Sequence, residues 1–109
     1  MKLENIPFFT TDWSTIQPTE HAGESGKAFW KTLQMGEIRI RMVEYTPGYL
    51  ADHWCSRGHI LLVLEGSLTT ELKDGRVFTL NAGTSYQVAT DAEPHRSSSP
   101  AGAKLFIVD

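Results

Sequence analysis

The chain has 109 residues, 40% of them hydrophobic, with a single cysteine and a formal net charge of -3. That suffices for one core and one domain and leaves no room for a separate catalytic domain. A lone cysteine excludes an internal disulfide, and an acidic balance without a Lys/Arg stripe argues against nucleic acid or an anionic membrane surface as partner.

Residues 1–28 read as an irregular arm packed on the rest. Pro7, Pro18 and the Gly23-Glu-Ser-Gly26 segment interrupt any periodicity, and Trp13 with Phe8-Phe9 are expected to anchor the arm. The first residues lack the apolar stretch and cleavage site of a signal peptide, and the longest apolar run, Ile60 to Leu64, is too short to cross a bilayer. A cytoplasmic location is therefore expected. Residues 29–109 form the body. Strands are expected at Phe29 to Leu33, Glu37 to Tyr45, His59 to Leu64, Leu68 to Leu72, Val77 to Leu80, Ser85 to Val88, His95 to Ser98 and Ala103 to Val108. Thr46-Pro47-Gly48, Glu65-Gly66 and three further glycine-bearing segments separate them, and Asp74-Gly75 marks a tight hairpin. No amphipathic helix is visible. Many short strands with regular turns imply an all-β sandwich or barrel.

Three metal-capable side chains, His53, Cys55 and His59, lie on one stretch closed by Gly66. In an extended chain His53 and Cys55 point to the same face with α-carbons roughly 6 to 7 Å apart. Imidazole and thiolate bind a metal at about 2.0 to 2.3 Å, so both can reach one ion. Cys55 has a second reading, as a small buried hydrophobe.

The spacing Gly48, His53, Cys55, His59, Gly66 resembles the first motif of the cupin family, G-x5-H-x-H-x3,4-E-x6-G. Here the leading Gly is one residue closer, a Cys replaces the second His, and a His stands where Glu is usual. The stretch from Gly83 to Arg96 resembles the second motif, G-x5-P-x-G-x2-H-x3-N, with Ala89 at the Pro position, one extra residue before His95, and Ser99 at the Asn position. The string Ala51-Asp-His-Trp-Cys55 is similar to the small single-domain cupins named for a DHCW motif. The resemblance covers residues 37–109. It implies a jelly-roll barrel, usually a homodimer, with one metal held by ligands from both motifs. Carried over by position, these are His53, Cys55, His59 and His95. A thiolate in such a set favours Zn, Fe, Ni or Cu over Mg or Ca. The usual Glu ligand is missing, so no activity that depends on it is implied. For each histidine the alternative is a hydrogen-bonded structural residue, and His21, in the arm, reads as exposed.

Other polar residues carry two readings each. Arg39 and Arg41 share a face with Tyr45: either a solvated face opposite Ile38, Ile40 and Met42, or a fork for an anion in the barrel. Tyr86 and Arg96 either line the pocket and hydrogen-bond a ligand His, or lie on the surface. Asp52 either orients His53 or serves the turn. Three functions compete: a metal enzyme of dioxygenase- or isomerase-like chemistry, which the cupin resemblance suggests, a non-catalytic binder of a small-molecule ligand or metal, and a closed structural Zn site with four ligands. Apart from Asp52, no carboxylate stands beside the His cluster to act as general base.

Overall fold

Alternating apolar and polar residues favour strands, and the computed structural model, which describes residues 3–109, holds nine among them. In chain order these are β1 (Thr19–Ala22), β2 (Lys27–Met35), β3 (Ile38–Tyr45), β4 (Tyr49–Leu50), β5 (His59–Leu72), β6 (Val77–Asn81), β7 (Ser85–Val88), β8 (His95–Ser99) and β9 (Ala103–Val108). Their pairings are antiparallel in the order β1-β2-β3-β9-β5-β8-β4, with β6 and β7 also paired to β5. The sheet curls on itself as the expected all-β jelly-roll barrel. Among the described residues no helix is long and apolar enough to cross a membrane.

β5 explains the curl. Its first residues pair with β7 and β9, and its last with β6 and β8, so one strand serves both sides of the barrel. Between them the register against β9 shifts at Val63/Glu65, and Gly66 adopts φ 76°. A Cβ at Gly66 would stand 2.2 Å from the Gly102 carbonyl oxygen, so the bulge admits only glycine. The Glu65-Gly66 pair, expected as a turn between two strands, is this bend inside one. Asp74-Gly75 does close a hairpin. Glu71 pairs with Val77, and the Leu72 N–H donates to the Arg76 carbonyl at 2.8 Å.

The inward face carries Val43, Leu61, Val63, Leu68, Leu80, Leu105 and Ile107, all buried. Each such side chain contributes about 1.5 to 3 kcal/mol on burial. Arg41 shares this face, at 6% exposure, so β3 presents its arginines inward. The solvated-face reading of Arg39 and Arg41 is therefore set aside. Ile40 lies on the opposite face and lines a groove with Phe106, Trp13 and Phe9 of the arm. Trp13 meets the Phe106 ring edge-on at 6.5 Å, and its carbonyl accepts from Lys31 Nζ at 3.0 Å. Phe8, expected as a second anchor, is 95% exposed. The arm also contains β1, where His21 stacks on Trp30 at 3.8 Å instead of facing solvent freely.

Candidate metal centre

Backbone pairing sets the centre. β4 runs antiparallel to β8 through Tyr49 and Leu50, and the Ala51 N–H donates to the Ser97 carbonyl at 3.0 Å. Cys55 and His95 then exchange both backbone hydrogen bonds, at 2.7 and 3.0 Å. From Ala51 to Cys55 the chain advances four residues, while β8 advances two, from Ser97 to His95. The excess loops outward. Opposed residues in an antiparallel pair share a face, so Cys55 lies beside His95.

His59 arrives from the start of β5, two pairs away from Leu61↔Tyr86 in the β5–β7 ladder and so on the same face. One donor atom each from Cys55, His59 and His95 lies within 4.8 Å of the others. The two Nε2 atoms are 3.1 Å apart, and the Tyr86 hydroxyl lies 2.9 Å from Nε2 of His59. Arg96, also expected near the pocket, lines it with its guanidinium 5.0 Å over the Trp54 ring.

His53, expected among the ligands, does not join this group. The extended backbone assumed for Asp52–Cys55 is replaced by the outward loop. Its side chain is 73% exposed at the cavity edge, and Nδ1 lies 2.6 Å from Asp52 Oδ1. Asp52 thus orients His53, away from the other three residues.

Electrostatics favour the thiolate of Cys55 paired with a protonated His95, and a metal on the pair would displace the His95 proton. His95 holds the Cys55 thiol below its ordinary pKa, and Cys55 in turn raises that of His95 despite its burial. A lowered thiol pKa favours thiolate, the form that binds metals. Nδ1 of His95 donates to the Glu93 carbonyl at 2.9 Å, which leaves Nε2 as the free lone pair of the neutral ring. The 3.1 Å between the two Nε2 atoms is spanned by a hydrogen bond from one ring to the other, and the Tyr86 hydroxyl sits beside the same His59 nitrogen. Two nitrogen ligands about 2.0 to 2.1 Å from a tetrahedral ion stand about 3.3 Å apart, close to the separation found.

Asp109 escaped the sequence reading. Its carboxylate is fully buried and accepts from Arg39 Nε at 2.8 Å and Nη2 at 3.0 Å, and from Arg41 Nη2 at 2.9 Å. It stands 3.7 Å from His59 Nδ1, a buried atom with no hydrogen-bond partner. Burial alone would raise the Asp109 pKa, but His59, Arg39 and Arg41 hold it well below the usual carboxylate range. The inference that no carboxylate other than Asp52 adjoins the cluster is thereby corrected. The signal lay in β9's alternation: the inward residues Leu105 and Ile107 place position 109 on the same face. Beside this group opens a cavity of about 430 Å³, whose walls include Trp30, Tyr45, Tyr49 and Arg41.

No protein-family model matches the sequence, and neither does a curated protein. Solved structures do. A predicted oxalate decarboxylase from Thermotoga maritima superposes with a TM-score of 0.79 at 16% identity, over 92% of this chain and 96% of that one. An RmlC-like cupin from Shewanella frigidimarina gives a TM-score of 0.69 at 20% identity, over 94% and 89%. Fe(II)-HppE, solved with an alternative substrate, gives 0.76 at 16% identity, over 94% of this chain and 60% of that one. The fold is that of the cupins.

Proposed function

We propose that this chain with the cupin fold holds one divalent transition metal on Cys55, His59 and His95 and binds a small molecule in the adjoining cavity. The observation that carries this reading is the convergence of one sulfur and two imidazole nitrogens within 4.8 Å, two of them from the stretch that leads into β5 and one from the start of β8. A thiolate and two imidazoles suit Zn, Fe, Ni or Cu better than Mg or Ca. Fe(II) in the similar HppE structure is in keeping with that choice. Three protein donors beside an open cavity also differ from a closed four-ligand structural site, in which no position is left for a substrate. Such an ion supplies a Lewis acid or a redox centre.

The surrounding side chains have their own tasks. The Glu93 carbonyl fixes the ring of His95, and Asp109, clamped by Arg39 and Arg41, faces the far nitrogen of His59. Loading the purified protein with Zn, Fe, Ni, Cu and Mn in turn, followed by elemental analysis, tests the proposal. About one ion per chain is expected for at least one of the softer metals. Protein that stays metal-free with each of them contradicts it.

A further inference from the structure

Three guanidiniums, of Arg39, Arg41 and Arg57, surround the single carboxylate of Asp109. Arg39 spends two N–H groups on it and is satisfied in a fork-to-fork pair. Arg41 spends one. Its side chain is only 7% exposed, and its Nε is buried with no hydrogen-bond partner. Arg41 also lines the cavity, so a buried cation with one hydrogen bond to Asp109 borders that space, where a further anion would offset its desolvation. Arg57 stands 3.5 Å from the same carboxylate, is half exposed, and reaches the cavity from the solvent side. The wall beneath is flat and aromatic: Trp30 lies 4.3 Å under the Arg41 guanidinium, and Tyr45 and Tyr49 stack at 4.0 Å.

We infer that the cavity binds a planar carboxylate small molecule, gripped by Arg41 and met at the entrance by Arg57. This deepens the proposed function and rests on its placement of the small-molecule site beside Cys55, His59 and His95. A carboxylate matches the planar guanidinium fork edge to edge, and a flat body behind it fits the aromatic wall. Among the described residues that line this cavity there is no lysine, the point-charge donor that commonly serves phosphate.

Titration calorimetry on the full chain tests the inference with benzoate and succinate, their neutral amides benzamide and succinamide, and inorganic phosphate, with metal content measured on the same samples. At least one carboxylate should bind about tenfold or more tightly than its amide and than phosphate, the discrimination expected of a charge-assisted pair. Arg41→Met should remove that preference. Because Arg41 is buried, Arg57→Gln serves as the second variant, exposed enough to leave folding intact and expected to weaken carboxylate binding about threefold or more, as an entrance charge does. Carboxylates that bind no better than their amides, phosphate that outbinds both, or a preference that survives both substitutions overturns the inference. Absence of the preference in parent protein that carries metal counts against the arginine site alone, whereas carboxylate preference in parent protein that takes no metal counts against the metal reading alone.

Discussion

His95→Ala is expected to lower metal affinity by about a hundredfold or more, since even partners one shell removed from a metal cost tenfold to a hundredfold when lost. The side chain is 2% exposed, its Nε2 sits 3.1 Å from that of His59, and its backbone bridges Cys55. His59→Ala should match it. His53→Ala is the contrast: with 73% of its side chain in solvent, its removal should leave metal content unchanged and stability within about 0.5 kcal/mol of the parent. Competition titrations against a chelator of known affinity read all three variants. Equal losses for His53→Ala and His95→Ala would return His53 to the ligand set.

Asp109→Asn should be the most destabilising single change near the site. It removes the negative charge that three hydrogen bonds from Arg39 and Arg41 satisfy, and leaves both guanidiniums facing each other in a largely closed space. Breaking a buried ion pair from one side costs about 3 to 5 kcal/mol. For a domain of this size that lowers the melting temperature by about 12 °C or more. Calorimetry on chelator-treated protein isolates this effect from metal binding. The pH dependence follows from the direction of the shift. A carboxylate whose folded pKa is depressed contributes stability that is full above its unfolded pKa and drains away as pH falls toward the folded value. The parent should therefore lose stability below about pH 4, the ordinary carboxylate range, and Asp109→Asn should show a flatter profile there. A variant as stable as the parent at neutral pH would show that the arginines do not depend on Asp109.

The barrel was legible because its strands alternate. β3, β6, β7, β8 and β9 fall within a residue or two of their expected bounds, and Asp74-Gly75 closes its hairpin. What failed were features set by tertiary partners. Glycine at position 66 signals a break locally, yet the ladder to β9 carries the chain through it as a bulge. β4 has only two residues and exists because β8 captures it. His53 was misplaced because strand periodicity presumes an unbroken ladder, and the extra residues between Ala51 and Cys55 are visible only against the β8 register. For Arg39 and Arg41 the sequence leaves a solvated face open beside the inward fork, because charge usually marks the outside. Their partner, Asp109, lies 68 to 70 residues further along the chain.

Cobalt(II) titration of the metal-free protein, followed by visible absorption, addresses the convergence of Cys55, His59 and His95 on one ion most directly. Saturation at about one equivalent is expected, with a thiolate-to-cobalt charge-transfer band that disappears in Cys55→Ser, since a single soft site with one sulfur donor is at stake. A spectrum without that band in the parent, or one that Cys55→Ser and His95→Ala leave unchanged, would contradict the account.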